Sequence, residues 1–134
     1  MIKKQFTLYL ENKPGELSRV AKSLAAGKVN IEGISVSAGA DVALVQLIAD
    51  NALATKKCLV KIDVPYTVQD VAVVPLRNDP GSLELVVSKL ADAGVNIDYV
   101  YATTSVSRGY ECYVVISARN LSKVEAVCRK CIKK

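Results

Sequence analysis

The chain has 134 residues, of which 51% are hydrophobic and 23% are charged, and its formal net charge is +5. This length can bury one good hydrophobic core or two small ones, and the composition is typical of a globular protein rather than a disordered one. Because the excess lysines are scattered, with no tryptophan and a single phenylalanine (Phe6) among them, we expect no nucleic-acid binding.

The sequence also gives no sign of a membrane or targeting segment. No window approaches the ~18 uninterrupted apolar residues that a membrane span needs, and the apolar stretch after "MIKK" alternates and ends at Glu11. We therefore expect a cytoplasmic protein without a membrane partner.

The first predicted elements are a strand, a turn and a helix. The stretch "QFTLYLE" places Phe6, Leu8 and Leu10 on one face of a strand. The stretch "ENKPGELSRV" (11–20) then contains a Pro-Gly turn, and the apolar residues that follow recur at helical spacing. They are Leu17, Val20, Ala21 and Leu24. A glycine, Gly27 here and Gly94 in the second half of the chain, is expected to end this helix.

Two further strands, a second helix and a short fourth strand complete the first set of elements. The strands are predicted in "VNIEGISVS" (29–37) and "DVALVQLIADN" (41–51), and the short fourth strand in "VPYTVQD" (64–70).

The chain then repeats itself. Shifting the sequence by 66 residues aligns 12–31 with 78–97 without a gap, and ten of the twenty positions are identical, among them Asn12, Pro14, Gly15, Leu17 and Asn30. Beyond residue 39 the shift becomes 69, because three extra residues fall around "SVSRG" (105–109), which predicts a longer hairpin turn. A period of this length, present twice, indicates a duplicated domain.

The second copy repeats the order of the elements. Its predicted strands include "VAVVPL" (71–76) and "YECYVVISARN" (110–120), and its first helix carries the apolar stripe Leu83, Val86, Val87 and Leu90. The sequence ends at Lys134, so the fourth strand of this copy is expected to be short or missing. The fold class predicted for both copies is α+β, with a ferredoxin-like βαββαβ order, an antiparallel sheet and both helices on one face.

Four cysteines, at positions 58, 112, 128 and 131, fit a reducing compartment. Cys128 and Cys131 have the spacing of a redox or metal motif, but they also share a helical stripe with Leu121 and Val124. In the first copy the same positions are Leu59 and Ile62, and the chain has no histidine. We therefore predict core packing for these cysteines and expect neither a metal nor a cofactor.

Tyr99 and Tyr101 alternate with Val100 and Ala102 along a predicted strand, which places the tyrosines on the sheet face away from the helices. Aromatic side chains on an open face suggest contact with another subunit or domain.

The two Pro-Gly loops could bind a small anion or could only turn the chain. Each loop precedes a helix start, where unpaired backbone N–H groups favour a carboxylate. Asn30 and Asn96 begin the strands expected to lie beside these loops, and an amide can both donate and accept hydrogen bonds. This chemistry suits a free amino acid, and the recurrence of loop and "VNI" at a fixed distance favours a site.

Each half resembles an ACT domain, the regulatory module of many amino-acid biosynthetic enzymes. The resemblance rests on "NKPGEL" with "VNI" in the first half and "NDPGSL" with "AGVNI" in the second. It implies two domains, at 1–68 and 69–134, paired side by side into an eight-stranded sheet, and amino-acid binding at the seam between domains. One departure is Lys28, which stands where the family pattern has the glycine found at position 94; it implies unequal binding by the two halves.

Carried over by position, the resemblance implies two matching sets of ligand-binding residues. The first set is Asn12, Pro14, Gly15, Glu16, Leu17, Asn30 and Ile31, and the second is Asn78, Pro80, Gly81, Ser82, Leu83, Asn96 and Ile97.

The function predicted from the sequence is that of an amino-acid-binding regulatory protein, a homo-oligomer such as a dimer, which signals to a partner enzyme of amino-acid metabolism. The alternative is a regulatory or structural subunit without a ligand, which binds a partner enzyme through the open sheet face. We expect no enzymatic activity, because no nucleophile motif, phosphate loop or metal-ligand cluster is recognisable.

Overall fold

The computed structural model describes residues 2–103 and 111–132. The chain divides into two compact units, one comprising Lys4–Gln69 and the other Asp70–Lys134 with the first three residues. They are called the first half and the second half below, and each is described by itself.

The first half contains three antiparallel strands in the order β2-β3-β1, together with two helices. Its elements are most of β1 (Ile2–Glu11), α1 (Glu16–Ala26), β2 (Ile31–Ala38), β3 (Val42–Ala49), α2 (Ala52–Lys61) and the beginning of β4 (Tyr66–Arg77). The backbone N–H of Tyr9 donates to the carbonyl of Pro65, 3.1 Å away, just before β4 begins. This is the predicted βαββαβ order.

Both helices of the first half cover one face of its sheet. Phe6 pairs with Leu47 and Leu8 with Val45 across β1 and β3, and all four side chains are buried. The core that these residues form also contains Val20 and Leu24 of α1 and Cys58 and Leu59 of α2. The apolar alternation of β1 and the helical spacing of α1 therefore produce the predicted two-layer packing.

The second half repeats this arrangement. Its elements are the remainder of β4, α3 (Ser82–Asp92), β5 (Ile97–Thr103), β6 (Glu111–Ala118) and α4 (Leu121–Ile132), and its antiparallel strands follow the order β4-β6-β5. The core brings together residues of β4, β6 and both helices. They are Ala72, Val74, Val86, Leu90, Val114, Ile116, Val124 and Cys128. Within the described residues, this half ends with α4.

The cysteines pack as predicted. Cys58, Cys112 and Cys128 are buried free thiols, and Cys131 lies against the core of the second half. Burial raises the pKa of Cys128 to about 11, with a smaller contribution from Cys131, so its thiol is neutral at physiological pH.

The junction between the copies differs from the prediction. The sequence suggested a short strand in 64–70 and a separate one in 71–76, whereas β4 is a single strand of 12 residues. Residues 66–74 contain no glycine or proline that would end a strand at the predicted break between residues 70 and 71. The hairpin turn predicted around 105–109 lies outside the described residues.

The ends of α1 and α3 place their glycines differently. Gly27 is the C-cap of α1, as predicted, whereas the residue with a left-handed backbone is Lys28 (φ 57°) after α1 and Gly94 (φ 75°) after α3, the two positions that the repeat aligns. Gly27 has an ordinary φ of −83°. Its reason is steric, because a Cβ at this position would lie 2.4 Å from Sγ of Cys58. At the end of α1 the glycine is needed because a side chain would not fit, and after α3 it is needed because the backbone is left-handed.

The sheet face away from the helices is less accessible than predicted. Tyr99 and Tyr101 do lie on this face, opposite Ser117 and Val115 of β6, and their rings stack with centroids 6.4 Å apart. However, both tyrosines are partly buried, and Val115 and Ser117 are buried. Burial, with a smaller contribution from Tyr99, raises the pKa of Tyr101. The expectation of an open face at this strand is therefore wrong.

Candidate functional site

The Pro-Gly loops have the same backbone geometry in both halves. Gly15 precedes α1 with φ 90° and ψ −13°, and Gly81 precedes α3 with φ 88° and ψ −9°. Residues with a Cβ rarely adopt this left-handed conformation, which explains the glycine in each loop. A Cβ built at either position would meet no atom within 4 Å, so it is the backbone conformation and not a lack of space that requires glycine there.

The helices that follow these loops begin without a side-chain cap. The N-cap residue of both helices is a glycine, Gly15 for α1 and Gly81 for α3, which has no side chain to accept a hydrogen bond from the helix start. The second helix of each half is capped instead, since Oδ1 of Asn51 accepts from the N–H of Ala54 at 3.0 Å and Oδ1 of Asn120 accepts from that of Lys123 at 3.1 Å. Among the helix starts that the structure describes, those after the Pro-Gly loops therefore differ from the other two in having no N-cap side chain beside their backbone donors and the positive end of the helix dipole.

Asn12 anchors the first loop to a neighbouring hairpin. Its Nδ2 donates to the carbonyl of Gly39 at 2.8 Å, and its backbone N–H donates to the carbonyl of Asp41 at 3.0 Å. The amide of this predicted ligand residue thus has a structural role. The corresponding hairpin of the second half falls in 104–110, outside the described residues.

The residue after the glycine differs between the loops and changes their charge. In the first loop, Glu16 forms an ion pair with Arg19, with Oε1 3.2 Å from Nη2. The hydrogen bond from Arg19 is the main reason that the pKa of Glu16 is lowered, so this carboxylate stays ionised. In the second loop the position is Ser82, whose N–H donates to the carbonyl of Asp79 at 3.2 Å. An anion would therefore meet a carboxylate at the first loop but a hydroxyl at the second.

Asn30 does not lie beside the loop of its own half, contrary to the sequence-based expectation. The loop follows Glu11, which pairs with Val42, whereas Asn30 precedes Ile31, which pairs with Ala49. Val42 and Ala49 are seven residue steps apart along β3, so the loop and Asn30 are separated by about 23 Å at about 3.3 Å per residue. At that far end, the N–H of Asn30 donates to Oδ1 of Asp50 at 3.0 Å.

Asn96 has the same placement in the second half. Arg77, which precedes its Pro-Gly loop, pairs with Glu111, and Ile97 pairs with Ala118 at the opposite end of β6. The predicted ligand residues of each half thus divide into a loop group (12–17 or 78–83) and a strand group (30–31 or 96–97) at opposite ends of the domain. The order of elements alone did not reveal this separation.

The two leucines at the helix starts are exposed, although their spacing predicted burial. Leu17 and Leu83 are 42% and 47% exposed, while Val20 and Val86, one turn later, are 1% and 0% exposed. Ile31 and Ile97 lie partly buried against the cores of their halves. An apolar side chain therefore stands at the surface beside each Pro-Gly loop.

Two surface cavities of the second half adjoin the predicted residues. One, of about 420 Å³, lies at the Pro-Gly loop and is lined by Arg77, Ser82 and Glu111 among others. The other, of about 500 Å³, lies at the far end and is lined by Asn96 together with Asp98, Arg119 and Lys123. Both volumes fall in the range of small-molecule sites, and each combines cationic and anionic groups that suit a zwitterion.

Two residues of this region were not recognised from the sequence. Asn51 and Asn120 are the helix caps that distinguish the second helices from the first ones. The signal was present, because an asparagine directly before an apolar-periodic segment is a helix-start signature.

Among the described residues, no three histidine, cysteine, aspartate or glutamate side chains are grouped so that they could hold a metal ion. No helix in the same part of the chain is long and apolar enough to cross a membrane.

The comparisons with solved structures return the same fold. A crystal structure of a protein from Bacteroides thetaiotaomicron aligns with a TM-score of 0.87 at 28% identity, covering 97% of this chain and 88% of that one. The regulatory subunit of aspartate kinase from Thermus thermophilus aligns with a TM-score of 0.69 at 18% identity, covering 94% and 88%. The corresponding subunit from Thermus flavus gives 0.66 at 18% identity, covering 99% and 94%. No curated protein matches the sequence.

The family comparison covers almost the whole chain. The model described as an ACT domain pair matches residues 1–130, which include both Pro-Gly loops and both "VNI" segments. The chain belongs to the family of ACT domain pairs.

Proposed function

We propose that this protein is a regulatory sensor that binds a free amino acid at the interface between ACT domains and has no catalytic activity of its own. The observation that carries the proposal is the contrast between the helix starts. The helices after the Pro-Gly loops have a glycine as N-cap, which supplies no side-chain cap, whereas an asparagine caps the second helix of each half. A helix start without a side-chain cap is suited to the α-carboxylate of an amino acid.

The separation of the two residue groups supports an interface site. Within one half, the loop and the asparagine before β2 or β5 lie at opposite ends of the sheet. A single site that uses both groups therefore takes the loop from one ACT domain and the asparagine from another domain running in the opposite direction. The second domain belongs to the other half or to a second chain, as in a homodimer.

The edge strands support side-by-side pairing. β2 and β5 are edge strands, and on the side of the sheet that carries the helices they expose Ile34 (41%), Val36 (46%) and Val100 (43%). Leu17 and Leu83 add exposed apolar surface at the helix starts. Unpaired strand edges with apolar side chains favour another strand as their neighbour, which supports the side-by-side pairing of ACT domains that the resemblance implies.

The domains proposed for this site are 1–68 and 69–134, and its members are the two sets of ligand-binding residues named in the sequence analysis. Ligand binding would favour one arrangement of the domains over another and so signal to a partner enzyme of amino-acid metabolism in the cytoplasm. The structural relatives support a regulatory role, because two of them are regulatory subunits of aspartate kinase.

The test is thermal unfolding of the full chain with each of the twenty amino acids and several 2-oxo acids at millimolar concentration. A ligand present at a hundred times its dissociation constant adds about 2.7 kcal/mol to the free energy of unfolding, which raises the midpoint by several degrees. We expect a shift with one chemical group of amino acids. The absence of a shift with every compound would contradict the sensor and favour the partner-binding alternative.

A matched set of variants then locates the site. Leu17→Ser and Leu83→Ser remove the exposed apolar side chains beside the loops and should reduce the shift caused by the ligand. Val60→Ser removes a side chain of α2 that is also exposed (63%) but belongs to neither predicted set, and it should leave the shift unchanged. An equal loss in all three variants would contradict the loop site.

A further inference from the structure

A basic groove lies between α1 and α2 on the surface of the first half. Its volume is about 530 Å³, and its lining includes Arg19, Lys22, Lys57 and Lys61 but no acidic residue. Arg19 is engaged by Glu16. In the described part of the chain, no carboxylate forms an ion pair with the ammonium groups of the three lysines. Three uncompensated cations therefore surround one small depression.

The floor of the groove is held in place by contacts between the two helices. Oγ of Ser23 donates to the carbonyl of Cys58 at 3.1 Å, and Nη1 of Arg19 donates to the carbonyl of Ile62 at 2.6 Å. Gly27 and Cys58 approach so closely that a Cβ on the glycine would overlap the thiol. These contacts fix the spacing of the helices, so the groove does not depend on the flexible lysines for its shape.

The corresponding groove of the second half lacks this charge pattern. A cavity of about 440 Å³ between α3 and α4 is lined by Lys89 and Lys130 but also by Asp92. At the positions of Arg19 and Lys57 the second copy has Leu85 and Ala126. Because the same fold forms without these cations, the basic lining of the first groove is not required for folding.

We propose that the groove between α1 and α2 binds a small multivalent anion of the phosphate type, such as a polyphosphate or the triphosphate of a nucleotide. Three lysines act as point charges for phosphate oxygens, while Arg19, whose guanidinium donates to Glu16 and to the carbonyl of Ile62, lines one end of the groove. The site is separate from the proposed amino-acid site and does not depend on it.

The size of the groove favours a small molecule over a protein segment. The residues of α1 that line it run from Arg19 to Ala26, seven residue steps or about 10 Å along the helix axis. Its volume falls within the range of small-molecule pockets. Ala26, Gly27 and Cys58 also provide an apolar floor against which a flat group such as a nucleobase can pack.

The experiment is isothermal titration calorimetry of the full chain with sodium tripolyphosphate and, separately, with ATP. We expect one molecule bound per chain, with an affinity that falls as salt is added, since exposed charges are screened. Tighter binding of ATP than of tripolyphosphate would indicate that the nucleobase packs against the apolar floor of the groove. Equal binding would assign the site to the phosphate chain alone.

Two charge-reversal pairs separate the groove from general attraction to a protein of net charge +5. Lys22→Glu with Lys57→Glu should weaken binding by about tenfold or more, because two attractive pairs become repulsive. Lys89→Glu with Lys130→Glu makes the same change in net charge in the second groove and should alter the affinity by less than about twofold.

Three results would overturn the proposal: no heat of binding with either compound, equal weakening by both variant pairs, or several molecules bound per chain. The thermal midpoint of each variant without ligand shows that it is folded. The amino-acid response of the Lys22→Glu, Lys57→Glu variant should stay intact, so a failure of this proposal can be told from a failure of the proposed sensor function.

Discussion

The first helices of the two repeats end in the same backbone conformation but with different residues. After α1 the chain has Gly27 and then Lys28 in the left-handed region, and after α3 it has Ala93 and then Gly94 in that region. In both copies the next residue donates its N–H to a carbonyl of the helix, from Val29 to Leu24 and from Val95 to Leu90, each at 2.9 Å. One copy thus places its glycine where the helices touch, and the other places it where the backbone turns.

This difference shows that a conserved shape can rest on different local constraints. In the first half, close packing of α1 on Cys58 excludes a Cβ at position 27, and Lys28 carries the cost of the left-handed backbone. In the second half that cost is absent, and Ala93 is tolerated next to α4. The same helix pair carries the basic groove only in the first half. The two halves are therefore equivalent as folds and different as surfaces.

The largest expected effects test whether the two cores are equivalent. Leu24 and Leu90 occupy matching positions and are 1% and 0% exposed. Replacing either by alanine should lower the free energy of unfolding by about 2–5 kcal/mol, through lost burial and the cavity left behind. Urea denaturation of each variant measures this loss. A loss below about 1 kcal/mol in one half would show that its core is less well packed than the other.

The next effect concerns the contact between Gly27 and Cys58. Gly27→Ala should lower the free energy of unfolding by about 1–3 kcal/mol, because the added Cβ overlaps the buried thiol. Adding Cys58→Ala to the same chain should recover most of the lost free energy of unfolding, since it removes Sγ, the atom that the new Cβ overlaps. A double-mutant cycle by denaturation measures the coupling between the two positions. Additive effects would contradict the steric reason given for Gly27.

A smaller change in the free energy of unfolding is expected when the residues at the left-handed position, Lys28 and Gly94, are exchanged. Lys28→Gly should raise the free energy of unfolding by about 0.5–1 kcal/mol, because glycine adopts φ 57° without strain. Gly94→Lys should lower it by about 1 kcal/mol for the opposite reason. Thermal or urea unfolding checks both signs. Changes of the same sign would contradict the equivalence of the two helix ends.

The last prediction uses a titratable group that only the second half has. Cys128 stands where the first half has Leu59. Burial raises its pKa from the ordinary value of 9.0 to about 11. The unfolded chain therefore loses this proton first, and the stabilisation from the neutral thiol is lost as the pH rises from about 9 to about 11. In that window Cys128→Val should lose stability less steeply than the unmodified chain, as measured by urea unfolding at several pH values. Parallel curves would contradict this assignment.

Local patterns in the sequence were sufficient for most of the fold. The two layers follow from the spacing of the apolar residues. Phe6, Leu8 and Leu10 recur every second residue, as in a strand with one buried face, and Val20 and Leu24 have the spacing of a helix with one buried face. The repeat also identified Cys128 as a packing residue from its partner Leu59. The break predicted between 70 and 71 was wrong, since a strand that continues through a repeat boundary carries no local signal there.

The site was harder to predict, because it depends on which ends of the strands meet. The Pro-Gly pattern predicted that Gly15 and Gly81 adopt a backbone conformation that favours glycine, and both residues have a positive φ. The distance between the loop and Asn30 depends on the antiparallel register, which the spacing in sequence does not reveal. The exposure of Leu17 was also missed, since helical periodicity predicts a face but not how far along the helix that face is covered.

The uninterrupted β4 has a consequence for how this gene could have diverged after its duplication. Successive side chains of a strand point to opposite faces, so inserting one codon within 66–77 would turn every following residue of that strand to the wrong side. Hairpin turns carry no such parity rule and tolerate added length. Accordingly, the three extra residues of the second copy lie around 105–109, where its counterpart has a short turn. The two repeats therefore differ in length at this hairpin. The strand that joins the repeats is expected to change by substitution and not by insertion.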